Sequence, residues 1–355
     1  MKTEQLKRIF ESSGSNDQLR TERFTKRIMG MMEGDDAILT PDDLSIKGLN
    51  EAVSSAAFPI IMGTILAKVV TAAYTARAGL VTQLTTRYKS NVADENIPGS
   101  ILKSNMKKVK ELENYPHTGD IQEKYVTAGH EKYGEILDIS EESLKFDKTG
   151  LIMLTARSYG RAAAELQEEI VIKTILDLAD YYAWYPSGDR AAMYSTSTTD
   201  PHFNSNQISN ALGDFTDLDA AKVLFGKMVD EDGRTIVVNP NILLVPMALD
   251  TIAHRLIGNS VMVGAANAEN NPFQNKYKVL SSPYLDADSS VRWYLGDFKR
   301  QFIWKEITPL QVQTRKKGDN DGNWNQDIEA SFKIRFDGQC RALDFTHVVK
   351  SLGTG

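Results

Sequence analysis

The feature that most constrains the fold is a stretch without proline from about Thr149 to Tyr182. Asp147 and Thr149 both suit the N-cap position of a helix. About 34 residues at ~1.5 Å each predict a rod of about 50 Å, which is long for a helix in a globular protein. An aromatic cluster followed by Pro186 ends the pattern. The sequence therefore predicts one unusually long helix near the middle of the chain.

The part of the chain before this helix divides into three. Residues 1–50 alternate basic and acidic side chains and have no wide apolar stripe, so they need a partner surface to become ordered. A helical pattern follows over 44–88, with a break near Phe58 and Pro59. Residues 105–146 are rich in turns and carry two short strand patterns, at 125–126 and 136–139. We expect this last segment to be an extended β-arm that leaves the body of the subunit.

The part after the helix predicts an α/β body over 184–300 and a β-rich return over 301–355. The fold class is therefore α+β. The expected elements are helices at 218–228 and 247–257, and strands at 235–238, 242–246, 277–280, 291–295, 307–315, 328–336 and 341–349.

Charge and cysteine content narrow the functional classes. The 355 residues hold 41 basic and 47 acidic side chains, a formal net charge of −6, so we expect at most weak contact with nucleic acid. Cys340 is the only cysteine, which excludes an intrachain disulfide and a zinc site built from cysteines. Its alternating surroundings predict a small strand residue, and an unpaired thiol suits a reducing compartment.

One segment, 52–73, is long enough to cross a bilayer. It also contains Lys68, Pro59 and several hydroxyl side chains, and a central lysine costs ~2.5–3.5 kcal/mol on insertion scales. We therefore expect a buried or interface helix and no membrane association. No apolar signal-peptide core follows the basic residues at the start of the sequence.

The sequence shows no catalytic signature of the phosphate-loop, nucleophile-elbow or zinc-helix type. We therefore expect no enzyme activity, no catalytic residue, no cofactor and no metal ion. The histidines have no metal-pair spacing, and we expect His130 to be solvated and His254 to be packed or on the surface. These histidines are His117, His130, His202, His254 and His347.

Two groups of acidic or amide residues could in principle bind a metal ion or perform acid–base chemistry. Asp319–Asn323 superficially resembles a calcium loop, but Trp324 and Ala330 stand where the loop requires glycine and glutamate, so a hairpin tip is favoured. Glu165, Glu168 and Glu169 cluster on the long helix near Arg161 and Lys173. Paired carboxylates can perform acid–base chemistry, but this spacing favours surface or intersubunit ion pairs.

Three stretches of sequence resemble a known family in order and spacing. They are residues 130–142, with Lys132-Tyr133-Gly134; Phe146-Asp147 followed by 158–166, with a Gly-Arg-Ala-Ala run; and Gly233-Arg234 with 240–246 and Leu249. Together with the order of the parts, they resemble the major capsid proteins of tailed bacteriophages, and most of all Mu-like prophage head subunits. The resemblance covers about residues 105–350.

This resemblance implies the tailed-phage major capsid fold. Its parts would be an N-terminal arm over 1–50, a joining helical segment over 51–104 and an extended loop over 105–146. A spine helix over 147–183, an axial domain over 184–300 and returning strands of the peripheral domain over 301–355 would complete it. The spine helix also belongs to the peripheral domain.

The implied function is a major head protein that self-assembles into hexamers and pentamers of an icosahedral shell around double-stranded DNA. Portal, scaffold and decoration proteins are the implied partners, with the virion as location and the host cytoplasm as the place of assembly. Some family members crosslink through Lys and Asn, and candidates here are Lys124 or Lys132 with Asn323 or Asn325. The alternatives are an encapsulin-type shell around an enzyme cargo, an enzyme with an unrecognised site, and a membrane-associated protein.

Overall fold

The computed structural model describes residues 58–98, 108–111, 114, 125–140, 142–143, 151–178, 182–183, 190–197, 204–229, 233–259, 270–316 and 328–354. The predicted arm over 1–50, the loop at 319–323, His117 and His202 lie outside these ranges. Two compact units make up the chain. The first takes in 1–77, 132–165 and 308–337, and the second takes in 78–131, 166–307 and 338–355.

The helices and strands are numbered in chain order. The helices are α1 Phe58–Arg77, α2 Gly79–Leu84, α3 Leu151–Leu176, α4 Phe215–Gly226, α5 Asp250–Gly258, α6 Pro283–Asp286 and α7 Phe298–Gln301, with a 3-10 turn at Met247–Leu249 before α5. The strands are β1 Thr86–Lys89, β2 Glu95–Pro98, β3 Tyr125–Ala128, β4 Lys132–Ser140, β5 Tyr182–Ala183, β6 Arg190–Ala191, β7 Gln207–Ile208, β8 Ile242–Pro246, β9 Lys278–Ser282, β10 Trp293–Gly296, β11 Phe302–Lys316, β12 Ile328–Ala342 and β13 Val348–Ser351.

In the first unit, α1 and the first half of α3 pack against β4 and β12. Gly160 lets the two helices approach closely, because a Cβ atom there would lie 2.4 Å from the carbonyl oxygen of Val70. Residues on alternate positions of β12 point into the same core, as expected for a strand with one buried face. The buried core residues are Leu66, Val69, Val70, Ile139, Ile152, Met153, Ala156, Phe332 and Ile334.

In the second unit, the core lies on a five-stranded sheet in the order β7–β13–β10–β8–β9. β10 runs antiparallel to both β8 and β13, whereas β9 and β7 are parallel to their neighbours. Every residue of β8 is buried, which explains its continuous apolar sequence. The sheet also takes in β13, so a strand from the last residues of the chain lies between strands from far earlier.

The long helix is present but shorter than predicted, because it ends at Leu176 and not near Tyr182. Asp177 has φ 55°, the left-handed conformation in which helices commonly end. Its carboxylate accepts a hydrogen bond from the Met193 backbone N–H, which holds this turn in place. The aromatic cluster therefore does not continue the helix, and Tyr182–Ala183 instead pair with Arg190–Ala191 as short strands.

Several other predicted elements are confirmed with shifted ends, but the strand predicted at 235–238 is wrong, because only Thr235 forms an isolated bridge, to Val229. The strand at 242–246 and the helical stretch over 247–257 are confirmed. The predicted helix over 44–88 is wrong at its end, because Thr86–Lys89 pair with β11 as a strand. The strand predicted over 341–349 is wrong in its middle, because β12 ends at Ala342 and β13 begins at Val348.

Part of the segment 105–146, which is predicted to be an extended β-arm, is paired within the chain. Tyr125–Ala128 pair with β2, and Lys132–Ser140 pair with β12 of the same chain. The physical reason is that Ile139 finds an apolar core within its own unit, so this part of the segment is not left without a partner. Within the described ranges, no helix is both long enough and apolar enough to cross a membrane.

Candidate assembly surfaces

A two-stranded ribbon, made of β2 and β3, lies on the second unit. Pro98 pairs with Tyr125, so the chain between them leaves and returns at adjacent positions. One face of the ribbon is apolar, with Ile97 and Ala128 packed against Ile303 of β11. The other face is exposed, and there the Thr127 hydroxyl donates to Asn96 Oδ1 at 3.0 Å. The ribbon is therefore amphipathic, with its apolar side fixed to the second unit.

Lys305 of β11 holds the base of this ribbon. The residue is fully buried, at 0% exposure. Its Nζ donates to the carbonyl oxygen of Ala93 at 2.9 Å and to that of Ala128 at 2.8 Å. Ala93 precedes β2 and Ala128 ends β3, so one ammonium group joins both arms of the ribbon to β11. Hydrogen bonds from a charged donor are stronger than neutral ones.

Glu95 ties the first arm of the ribbon to β1. Its carboxylate accepts hydrogen bonds from the Ser90 hydroxyl and, at 2.7 Å, from the Tyr88 hydroxyl. These two bonds, with the attraction of the Lys305 ammonium, lower the pKa of the Glu95 carboxyl below its usual value of 4.5. Ser90 is itself held by a 3.1 Å bond from its backbone N–H to the carbonyl oxygen of Glu306.

The second arm of the ribbon is fixed where it leaves toward β4. The backbone N–H of Gly338 donates to the carbonyl oxygen of Glu131 at 3.1 Å. The side-chain amide of Gln339 donates to Glu131 Oε1, also at 3.1 Å. Both ends of the ribbon base are therefore bonded to neighbouring strands of the second unit.

In the first unit, β4 is a long strand at one end of the sheet order β1–β11–β12–β4. On its inner face, Tyr133 stacks on Phe336 with ring centroids 5.1 Å apart, and Ile139 is buried. Its outer face is exposed, and Ile136 shows 57% of its surface to solvent. Among the described strands, β4 is therefore an edge strand, and exposed edge strands are common sites for pairing or packing with another chain.

The three glutamates of α3 have different environments. Glu165 lies 3.8 Å from the Arg77 guanidinium, and Glu169 lies 2.7 Å from the Lys173 ammonium. These two confirm the prediction of surface ion pairs. Glu168 differs, because it is buried and accepts a 2.8 Å hydrogen bond from the Ser282 hydroxyl. The three carboxylates therefore do not form one acid–base site.

The remaining predicted residues are dispersed. Cys340 is a residue of a strand, β12, as predicted. It is also buried, and burial raises the pKa of its thiol to about 12. His130 is exposed, and His254 is exposed on α5 with Asp250 at 3.7 Å. Among the crosslinking candidates, Lys132 begins β4, whereas Lys124, Asn323 and Asn325 lie outside the described residues. No cluster of three or more His, Cys, Asp or Glu in the described ranges could hold a metal ion.

Two residues of structural importance were not singled out from the sequence, Lys305 and His347. Both are buried in the second unit. The available signal for Lys305 was its position directly after the apolar run Phe302-Ile303-Trp304, where a solvated lysine is unexpected. His347 directly precedes the buried strand β13, which was the comparable signal there.

Comparison with known proteins identifies the family to which this chain belongs. The model of the phage capsid protein family matches residues 124–351, well over half of the chain. No curated protein matches the sequence. Solved structures with similar coordinates include a virus-like particle from Pyrococcus furiosus, with 8% identity, a TM-score of 0.46, and coverage of 81% of this chain and 98% of that one.

Two further structures come from phage-related particles. Microbacterium phage Oxtober96 gives 11% identity and a TM-score of 0.47, over 76% of this chain and 88% of that one. The capsid of a native GTA particle gives 16% identity and a TM-score of 0.44, over 78% of this chain and 89% of that one. At these values the likenesses add no argument to the family match.

The chain belongs to the phage capsid protein family. It is a shell-forming structural protein of the virion, and its mixed helix and sheet architecture is the predicted capsid fold. The predictions of an α+β capsid fold and of a capsid function are confirmed at this level.

Proposed function

We propose that this protein is the major head subunit of a tailed phage or prophage, and that it assembles into hexamers and pentamers of an icosahedral shell around double-stranded DNA. The match of residues 124–351 to the phage capsid protein family carries this proposal. The protein has no enzymatic role in it. Shell formation requires repeated contacts between identical copies, and closed symmetry gives a finite particle where an open arrangement would give a fibre.

Two surfaces support contact between copies. The ribbon has an exposed face and is firmly bonded at its base, so this face is held in a fixed orientation on the second unit. The strand β4 presents the exposed Ile136 together with charged neighbours. Apolar side chains on an ordered edge strand are typical of surfaces that another chain covers.

The charge of the protein supports loose contact with packaged DNA. The formal net charge is −6, and tight binding to phosphate releases counterions only where cationic side chains meet it. We propose weak, non-specific contact with the nucleic acid. Portal, scaffold and decoration proteins are proposed as partners, with assembly in the host cytoplasm. The Mu-like subtype, the six-part division of the chain and the lysine–asparagine crosslink remain predictions.

Expression of the full chain, alone and with its genomic neighbours, followed by sedimentation and electron microscopy tests the proposal. Closed shells, tubes or rings of capsomers are expected. Shells that contain nucleic acid would support a phage head, whereas shells that contain a bound enzyme with a docking peptide would support an encapsulin-type compartment. A monodisperse monomer under all salt conditions, even beside a scaffold protein, would contradict both.

A further inference from the structure

We propose that Lys305 is a positioning residue that clamps the ribbon of β2 and β3, and that this clamp makes the subunit competent for assembly. Only the link between the clamp and assembly rests on the proposed function. The clamp itself is a property of the isolated subunit and can be tested without any shell.

The first argument is the cost of burying the ammonium group. Lys305 is fully buried, and an unpaired charge in such a place is strongly destabilising. A lysine at this position therefore persists only if its hydrogen bonds repay the cost. The two bonds of 2.8 and 2.9 Å to backbone carbonyl oxygens do so.

The second argument is which carbonyl groups are chosen. The ammonium does not bond within its own strand but reaches Ala93, just before β2, and Ala128, the last residue of β3. These two positions lie at the same end of the ribbon, because Glu95, two residues after Ala93, pairs with Ala128. A single side chain thus fixes the separation and the direction of both arms.

The third argument is that neighbouring contacts agree with this role. Glu95 lies where the Lys305 charge attracts it, and the same carboxylate is bonded to Tyr88 and Ser90. Ile97 and Ala128 rest on Ile303, two residues before Lys305 on the same strand. The apolar contact holds the ribbon against β11 but is non-directional, whereas the hydrogen bonds from the ammonium group fix the orientation of the ribbon.

The consequence for assembly follows from the cost of ordering. A ribbon that is fixed in the free subunit loses little conformational freedom when a neighbour covers it. A ribbon released from its clamp would have to be ordered at the moment of contact. Loss of Lys305 is therefore expected to weaken association more than it weakens the fold.

The test compares Lys305→Met with Lys305→Gln and Lys305→Arg in the full chain. Methionine keeps the length and removes every donor, glutamine restores two neutral donors, and arginine restores charged donors. Lys278→Met is the matched control, because Lys278 is an exposed lysine in a strand of the same unit. Hydrogen exchange of unassembled subunits reports on the ribbon, and electron microscopy reports on shells.

The expected result for Lys305→Met is amide exchange at 95–97 and 125–128 that is at least about tenfold faster, with β8, β10 and β13 unchanged, and loss of closed shells. Lys305→Gln or Lys305→Arg is expected to restore part of both. Unchanged exchange in the ribbon, or equally faster exchange through the whole second unit, would overturn the clamp. If Lys305→Met does not fold, wild-type subunits decide, because ribbon amides that exchange as freely as an unfolded chain also overturn it.

The link between the clamp and assembly is tested separately. Wild-type protein that forms no shells would refute the proposed function and leave the exchange result as the test of the clamp. Wild-type shells together with normal shells from a Lys305→Met subunit whose ribbon is released would refute the link between clamp and assembly.

Discussion

Nδ1 of His347 lies 3.3 Å from Oδ2 of Asp344, and both side chains are almost completely buried. The same carboxylate accepts a 2.8 Å bond from the Thr346 hydroxyl and a 2.6 Å bond from the backbone N–H of Phe345. Burial alone would raise the pKa of the Asp344 carboxyl, but its bonds with His347, Thr346 and Phe345 lower it below the usual value of 3.8. This carboxylate organises the turn that leads into β13.

The first prediction concerns acid stability. Because the pKa of Asp344 is lowered in the folded state, its carboxylate stabilises the fold above about pH 4, and this contribution is lost as the pH falls through the folded value. Asp344→Asn is expected to reduce the free energy of unfolding near neutral pH by about 2–4 kcal/mol. The reduction is expected to shrink as the pH falls below about 4 and through the lowered folded pKa of Asp344.

Urea unfolding followed by tryptophan fluorescence at several pH values measures this difference. The exposed Asp138→Asn is the control and is expected to change the free energy by less than about 0.5 kcal/mol. A reduction for Asp344→Asn that is the same at all pH values would show that the lost contacts are not tied to the charge.

The second prediction concerns the crossing of α1 and α3 at Gly160. An added Cβ atom would lie 2.4 Å from the Val70 carbonyl oxygen and 2.9 Å from the Ala73 Cβ. Gly160→Ala is therefore expected to lower the free energy of unfolding by about 1–3 kcal/mol, despite the better helix propensity of alanine. Gly226→Ala is the control, since nothing lies within 4 Å of that position. Equal effects at both glycines in thermal unfolding would contradict the close packing.

The third prediction concerns the reactivity of Cys340. Burial raises the pKa of this thiol to about 12, so almost no thiolate forms near neutral pH. Native protein is expected to resist alkylation by iodoacetamide, and urea-unfolded protein is expected to react at the rate of a free cysteine. Mass spectrometry of the alkylated chain measures both rates. Fast labelling of native protein would show that β12 opens locally around this residue.

The fourth prediction separates assembly from stability on β4. Ile136 is 57% exposed, whereas Ile139 on the same strand is buried in the core of the first unit. Ile136→Ser is expected to change the free energy of unfolding by less than about 0.5 kcal/mol, and Ile139→Ser is expected to lower it by about 2–4 kcal/mol.

If β4 contacts a neighbouring copy, Ile136→Ser also reduces the yield of shells in sedimentation, although the subunit stays folded. Normal shell yield with this variant would remove β4 from the assembly surfaces. It would leave the family assignment intact, because that assignment depends on residues 124–351 as a whole.

Local patterns in the sequence predicted several elements well. The continuous apolar run 242–246 is a strand buried throughout, as its composition indicated. The alternation of Phe332, Ile334 and Phe336 placed these residues on one face of β12, and all three are buried. Both patterns work because periodicity follows from backbone geometry, which neighbouring residues share.

Other features depended on residues far away in the sequence. Nothing local to 348–351 indicates that this strand lies between β7 and β10. The helix was predicted to run past Leu176 but ends there. The left-handed conformation of Asp177 depends on its contact with Met193, which the local sequence does not indicate. Pairing partners and local helix ends of this kind are decided by tertiary contacts.

The sequence by itself determined the α+β class, the long central helix and the capsid family, because each depends on periodicity or on the order of short motifs along the chain. Only the tertiary structure decided that residues 125–140 pair with their own subunit and that Lys305 points inward to join two arms of a ribbon. The physical reason is that the cost of burying a lysine or of leaving a strand exposed is set by the groups that meet it, and those come from distant parts of the chain.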